Sequence, residues 1–135
     1  MRKGRLLNSE LTYEIAKLGR KEHITICDAN LPLASGVKKI DLALEAGMPS
    51  LINVLDTVLS EMAVGEIILA EEIKIKNAEI LEKILVTFKK AKLNPKIVWV
   101  SHERLEEMTG KSRAVVRTGE CSPYANILLK LGPVF

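Results

Sequence analysis

The sequence predicts a single α/β domain in which helices cover both faces of a mostly parallel β-sheet. The chain has 135 residues, 47% hydrophobic and 27% charged, so it is long enough and apolar enough to bury one core. Its apolar residues change repeatedly between helical spacing and short strand-like runs. Strands that alternate with helices of roughly 10 to 15 residues form βαβ units, which place their strands in parallel. We therefore expect a three-layer α/β/α domain over residues 1–135, with about four to six strands.

The first predicted elements are a helix and a strand. Leu11, Ile15 and Leu18 are spaced to form one face of a helix. Asn8 or Ser9 can cap the start of this helix, and Gly19 closes it. A short buried strand follows at residues 23–27 and ends at residues 28–30. Helix and strand together give the first half of a βαβ-type alternation.

The rest of the chain continues the alternation. In order, the sequence predicts a strand at 40–43, a turn at 47–49, a helix with its apolar stripe between 51 and 62, a strand at 66–70, a helix capped by Asn77 that ends before Pro95, a strand at 96–101, a short helix capped by Ser101 and ended by Gly110, and a strand at 114–116. Residues 124–131 are largely apolar, and their periodicity fits a strand or a helix equally well.

Composition and hydropathy exclude several classes of partner. The formal net charge is only +3, and aromatic residues make up 4% of the chain, so we expect no nucleic-acid partner. No apolar run exceeds four residues, whereas a membrane span needs about 20, so we expect no membrane partner. The basic first residues lack a following apolar segment, and the two cysteines lack CxxC spacing. A cytoplasmic protein with reduced thiols is the expectation, with Cys27 a small core residue.

Motifs for cofactors and metals do not occur in the sequence. There is no GxGxxG after a predicted strand and no GxxxxGK[ST], which argues against a dinucleotide or nucleoside triphosphate. The chain contains two histidines, no HExxH motif and no Cys/His cluster. The sequence therefore predicts a site that works with neither cofactor nor metal. A Mg²⁺ site on carboxylates at the strand ends is the alternative, although no motif specifies it.

Polar residues collect at or near the ends of predicted strands, where open α/β sheets bind ligands. They are Asp28, Asn30, His102, Glu120, Tyr124 and Asn126. Carboxylates accept hydrogen bonds from hydroxyl groups, while amides and phenols both donate and accept, so the set suits a polyhydroxylated ligand. A structural role is the alternative for each: Asp28 as a loop cap, His102 as a first-turn helix residue, and Tyr124 as part of a packed turn.

Several segments in the same order resemble the D-ribose pyranase family, which are bacterial sugar mutarotases associated with ribose uptake. The segments are Asp28-Ala29-Asn30-Leu31-Pro32, Lys39-Ile40-Asp41-Leu42, Ala70-Glu71-Glu72-Ile73-Lys74, Arg117-Thr118-Gly119-Glu120 and Ser122-Pro123-Tyr124-Ala125-Asn126. The resemblance extends from about residue 7 to residue 135. L-fucose mutarotases are relatives with the same general layout, but the second and last segments look more like the ribose branch.

The resemblance implies interconversion of the pyranose and furanose forms of D-ribose. The chemistry is opening and reclosure of a hemiacetal, which needs proton transfer but no cofactor. By resemblance, Asp28, His102, Tyr124 and Asn126 fall on the substrate-binding positions of the family, with Asp28 also a catalytic candidate. The family assembles as rings of subunits with sites at the subunit contacts, so a homo-oligomeric ring is implied.

The chain departs from the family at Arg20. The family's usual catalytic histidine follows the Leu-Gly at the end of the first helix, and here Leu18-Gly19 is followed by Arg20. An arginine keeps its proton, so it can hold a hydroxyl or an oxyanion but is a poor acid or base. The residue can also simply stabilise the helix end, and His23 is a possible substitute. Three hypotheses stay open: an active ribose mutarotase that relies on His102 and Asp28, a catalytically weak ribose-binding relative, and a mutarotase of another sugar such as L-fucose.

Overall fold

A six-stranded sheet organises the fold in the computed structural model, which describes residues 1–132. The strands are β1 (His23–Cys27), β2 (Lys39–Asp41), β3 (Val64–Ala70), β4 (Lys96–Val100), β5 (Ala114–Arg117) and β6 (Ile127–Leu131). The helices are α1 (Ser9–Lys17), α2 (Leu51–Leu59), α3 (Ile73–Lys76), α4 (Ala78–Lys90) and α5 (His102–Thr109). Within residues 1–132, none of these helices has the length and apolar character needed to cross a membrane.

The sheet is mostly parallel, as predicted. Its strand order is β2-β5-β1-β6-β3-β4. The pairs β2·β5, β1·β5 and β3·β4 are parallel, whereas β6 runs antiparallel to its neighbours β1 and β3. The ambiguous segment is thus a central strand, and its amino end lies at the edge where the parallel strands finish. That reversal places the residues just before β6 beside the residues just after β1.

Helices cover both faces of the sheet, which confirms the three-layer prediction. One face packs Ile24, Ile67 and Leu129 into a large core with apolar residues of α1, α2 and α4. The other face packs Ile68 and Leu128 against α5 and is completed by a smaller cluster around the loop after β1. Because successive strand residues point to opposite faces, one run such as 67–69 serves both cores.

The elements differ in detail from the predicted ones. β2 covers residues 39–41 rather than 40–43, β3 begins at Val64, and α2 ends at Leu59 before the end of its apolar stripe. The Asn8 cap is confirmed, since its Oδ1 accepts from the Leu11 N–H at 2.9 Å. Asn77 stands at the predicted N-cap position of α4, but its side chain makes no capping bond there. The single turn α3 ends directly before it, and the Asn77 amide is used in a long-range contact described below.

Candidate functional site

The four predicted substrate-binding residues lie at the carboxyl edge of the sheet. Asp28 follows β1 and His102 follows β4. Tyr124 and Asn126 precede β6, whose antiparallel direction brings its start to the same edge. The strand succession also changes direction here. From β1 the chain continues to β2 on one side of the sheet, and from β3 it continues to β4 on the other side. Open α/β sheets bind ligands at such a point.

Asp28 and Asn126 form the buried floor of this site. Asn126 is fully buried and Asp28 is 8% exposed. The backbone N–H of Asp28 donates to Oδ1 of Asn126 at 2.8 Å, and Oδ1 of Asp28 accepts from the N–H of Asn30 at 2.9 Å. Burial raises the pKa of the Asp28 carboxyl, while the hydrogen bond from the Asn30 N–H opposes that rise. The Asp28 side chain therefore caps the loop after β1, which was the structural alternative, and it also lies at the candidate site.

His102 is held by three neighbours. It begins α5, and its backbone N–H donates to both carboxylate oxygens of Glu72, at 3.0 and 3.1 Å. Its ring meets the ring of Tyr124 edge to face, with the centroids 5.0 Å apart. Its Nε2 lies 2.8 Å from Oε1 of Glu106. Glu106 was not predicted from the sequence, although its i,i+4 spacing from His102 is a signal that points to the pair.

Tyr124 sits in a strained loop that a hydrogen-bond network fixes. Its φ of 56° lies in the left-handed region, which non-glycine residues rarely adopt. Oε1 of Glu120 accepts from the N–H of Leu51 at 3.0 Å, and Oε2 accepts from the hydroxyl of Ser122 at 2.7 Å. Nδ2 of Asn77 donates to Ser122 Oγ at 3.0 Å and to the carbonyl of the next residue at 2.7 Å. Asn77 therefore has the predicted N-cap position, but its amide holds this loop and does not cap the helix.

The segment 117–119 serves the scaffold rather than the site. The Arg117 guanidinium donates to both oxygens of Asp41, at 3.0 and 3.1 Å, and links β5 to β2. The Thr118 hydroxyl donates to the Cys27 carbonyl at 2.8 Å. A Cβ atom at Gly119 would come within 2.4 Å of a backbone carbonyl oxygen in the 45–48 turn, so only glycine fits there.

Two buried polar atoms of the site have no hydrogen-bond partner within residues 1–132. They are Nδ1 of His102 and Nδ2 of Asn126. A third such atom, Oε2 of Glu14, lies elsewhere and faces Arg113 at 3.5 Å. Buried polar atoms are nearly always paired, so each unpaired one calls for an explanation. The site thus presents an amide donor together with an imidazole nitrogen.

Arg20 is not brought to the other four residues within one chain. It is exposed in the turn between α1 and β1, at the amino end of β1. Asp28 lies at the opposite end of that five-residue strand, about 16 Å away at roughly 3.3 Å per residue. His23 is also at the amino end, where its Nε2 contacts the Met108 carbonyl at 3.0 Å. Neither residue reaches the carboxyl edge of its own sheet.

In the described part of the chain, no three His, Cys, Asp or Glu side chains are grouped so that they could hold a metal ion. The carboxyl edge of the sheet carries carboxylate, amide, phenol and imidazole groups, a set that suits a small polyhydroxylated ligand.

Comparison with known sequences shows which family this is. The sequence profile of the RbsD / FucU transport protein family matches residues 1–134. The D-ribose pyranase of Rhodopirellula baltica is 50% identical over 135 residues, with both chains covered completely. The D-ribose pyranase of Haemophilus influenzae strain Rd is 48% identical over 139 residues, again with complete coverage. The chain belongs to the RbsD / FucU family.

Solved structures agree with this assignment. Bacillus subtilis RbsD, in a complex with D-ribose, is 40% identical and superposes with a TM-score of 0.90 over the whole of both chains. The fucose mutarotase of Streptococcus pneumoniae, in a complex with L-fucose, is 26% identical with a TM-score of 0.80 over 95% of this chain and 94% of that one. The resemblance to the ribose branch in the sequence agrees with the higher identity to the ribose-bound structure.

Proposed function

We propose that the protein is a D-ribose pyranase, which interconverts the pyranose and furanose forms of D-ribose. The observation that carries the proposal is the pair of unpartnered buried atoms, Nδ2 of Asn126 and Nδ1 of His102, at the ligand-binding edge of the sheet. A buried amide donor and a buried imidazole nitrogen match the donors and acceptors of sugar hydroxyls. Relatives named D-ribose pyranase at 50% and 48% identity support the choice of reaction and sugar.

The reaction needs a proton moved between two oxygen atoms. The anomeric hydroxyl loses its proton, the bond from the anomeric carbon to the ring oxygen breaks, and that oxygen gains a proton. The open aldehyde then recloses through a different hydroxyl, so nothing is oxidised or lost. Proton transfer by positioned side chains contributes roughly 10² to 10⁴ in rate. We assign binding of the sugar to Asp28, His102, Tyr124 and Asn126, with His102 as the group that exchanges the proton and the Asp28 carboxylate as an acceptor for a sugar hydroxyl.

Arg20 enters this proposal only through a neighbouring copy of the chain. The turn that carries it lies at the amino edge of the sheet, whereas the binding residues lie at the carboxyl edge. We propose a homo-oligomeric ring in which the Arg20 turn of one copy faces the binding residues of the next. There the guanidinium would hold a sugar hydroxyl or a developing oxyanion. We also expect the protein to act in the cytoplasm, where its two thiols stay reduced.

The activity is tested by NMR exchange spectroscopy on D-ribose. Protein stripped of metal should accelerate exchange between the pyranose and furanose signals, and L-fucose run in parallel should respond less. Exchange at the rate of the buffer blank, together with measurable ribose binding, would make the protein a sugar-binding relative without catalysis. Faster exchange on L-fucose than on D-ribose would assign it to the fucose branch instead.

The shared site is tested by light scattering and by mixing variants. A mass of 15.0 kDa at micromolar concentration, the value for one chain, would contradict the ring. If Arg20→Ala and Asp28→Ala are each inactive, a refolded equal mixture should recover about a quarter of the sites, since random assembly pairs an intact Arg20 with an intact Asp28 in that share. Recovery of no activity would refute a site shared between copies.

Replacement of Arg20 by histidine tests what this position contributes. An imidazole can exchange protons near neutral pH, so Arg20→His should raise the mutarotation rate, at most on the roughly 10²-fold scale of an added acid–base group. Ribose affinity should change less than the rate. An unchanged rate in Arg20→His, with activity abolished in His102→Ala, would show that position 20 supplies no proton-transfer group.

A further inference from the structure

We propose that Glu106 is a positioning residue that fixes the tautomer and orientation of the His102 ring and leaves Nδ1 as its proton acceptor. The identity of the sugar in this inference rests on the proposed function. The contact between the His102 and Glu106 side chains is independent of that function, because both residues belong to the same helix of one chain. The two residues stand four apart on α5, so the helix places them on one face.

The geometry assigns the proton on the imidazole. Oε1 of Glu106 lies 2.8 Å from Nε2 of His102, within ion-pair distance of a protonated ring. A carboxylate oxygen presents only lone pairs, so this close approach is favourable only when Nε2 carries a proton. In a neutral imidazole the second nitrogen then carries the lone pair. That second nitrogen is Nδ1, which is buried and unpartnered within the described residues.

The ring has little freedom to turn away from this arrangement. The edge-to-face contact with Tyr124 restrains it on one side, and the Glu72 carboxylate holds the backbone from which it projects. The side chains of His102 and Glu106 are 25% and 37% exposed, so the pair is partly shielded from water. The Glu79–Lys83 pair has the same spacing at 80% and 55% exposure. Of these two pairs, the one on α5 combines shielding with a contact to Tyr124, a predicted sugar-binding residue.

The pair accounts for proton transfer without a histidine at position 20. The anomeric hydroxyl gives its proton to Nδ1, the bond to the ring oxygen breaks with its electrons on that oxygen, and the exocyclic oxygen becomes the aldehyde carbonyl. The imidazolium then returns the proton to the ring oxygen, so the balance closes within the site. The Glu106 carboxylate stabilises the imidazolium through Nε2–H, as a third group does in other nucleophile–base arrangements. Arg20 cannot take this role because it keeps its proton.

The contact is tested by NMR on ¹⁵N-labelled protein without sugar. The chain has two imidazole rings, and Nε2–H of His23 donates to a carbonyl and serves as the internal reference. Nε2–H of His102 should give a resolved, slowly exchanging signal in the natural protein and in Glu106→Gln, whose amide oxygen still accepts. The signal should vanish in Glu106→Ala and persist in Glu107→Ala, a matched control whose carboxylate pairs with Arg104. Persistence in Glu106→Ala would overturn the proposal.

The consequence for the reaction is tested on the same variants. Glu106→Ala should lower kcat by roughly 10- to 100-fold, a part of the 10² to 10⁴ that proton transfer contributes, with KM changed far less. The kcat of Glu106→Gln should lie between those of the natural protein and Glu106→Ala, because glutamine keeps the tautomer of the ring but lacks the negative charge. Saturating D-ribose should shift the Nδ1 resonance of His102 in the natural protein. An unmoved Nδ1, or a kcat loss no larger than in Glu107→Ala, refutes the assignment. Failure of the natural protein to accelerate exchange refutes the proposed function instead, and the Nε2–H signal still decides the contact.

Discussion

Replacement of Asp28 by asparagine separates the binding of sugar from the stability of the fold. The new side chain has nearly the same shape, and its Oδ1 can still accept from the Asn30 N–H. The second carboxylate oxygen becomes an NH₂ group, so an acceptor for a sugar hydroxyl is lost. Because Asp28 is only 8% exposed, that hydrogen bond would form largely out of water. A hydrogen bond to a charged group contributes about 1.5 to 3 kcal/mol, so ribose should bind roughly 10- to 150-fold more weakly.

The stability of the Asp28→Asn variant should move in the other direction. Burial raises the pKa of Asp28, so the folded state favours its neutral form. The stability that follows from this preference is fully present below the unfolded pKa and is lost as the pH rises through the raised folded value. At pH 7 the folded protein therefore holds a buried charge at a cost, and asparagine removes it. The free energy of unfolding should be unchanged or slightly higher.

Calorimetric titration with D-ribose measures the first effect, and urea unfolding at pH 7 measures the second. Asp56→Asn is the control, since it makes the same change of charge on an exposed pair with Arg5. This control should leave both quantities within experimental error. Unchanged ribose affinity in Asp28→Asn would remove Asp28 from the site. Weaker binding that accompanies a lower free energy of unfolding would show that Asp28 acts through the fold.

Three further predictions concern buried groups. Burial lowers the pKa of His23, although the hydrogen bond with the Met108 carbonyl opposes that shift. The stability that comes from the neutral imidazole should therefore be lost as the pH falls from about 6.5 through the folded pKa. Between pH 8 and pH 5, the urea midpoint of His23→Gln should drop less than that of the natural protein. Burial raises the pKa of Cys27 to about 12, so iodoacetamide at pH 8 should modify only the exposed Cys121 until urea is added, and mass spectrometry counts the labels. Leu105→Ala, at a fully buried position under α5, should lower the free energy of unfolding by about 2 to 5 kcal/mol in urea titrations, and a loss below 1 kcal/mol would contradict the packing described.

The sequence predicted those features that depend on local chemistry. Asn8 and Ser101 cap their helices as expected, because the partner N–H lies three residues ahead in the same turn. The binding edge was predictable because Asp28 and His102 end strands whose parallel direction follows from βαβ units. Tyr124 and Asn126 were placed by resemblance, and their arrival at the same edge needed the direction of β6. The first three residues of β6, Ile127 to Leu129, are buried on both sheet faces, so this apolar run showed no alternation.

Features that depend on distant partners were not predictable. Asn77 has the sequence signature of a helix cap, yet its partners are Ser122 and Pro123, which lie 45 and 46 residues further along the chain. The spacing of Glu106 from His102 indicates a pair on one helix, but only the structure shows that the Tyr124 ring lies against that pair's histidine. Local propensity cannot decide such cases, because the competing hydrogen bond exists only after the sheet has formed.

The positions of Arg20 and Asp28 set a limit on how the site can work. Eight residues separate them in the sequence, but β1 lies between them, so they occupy opposite edges of the sheet. One chain therefore cannot bring both to the same sugar. If the guanidinium is needed, activity depends on contact with a second copy and should fall when the oligomer is dissociated by dilution. If the His102–Glu106 pair suffices for proton transfer, Arg20→Ala keeps most of its kcat and loses mainly affinity, because a fixed cation holds hydroxyls without exchanging protons. The split between kcat and KM in that variant, measured above and below the dissociation concentration, tells the two arrangements apart.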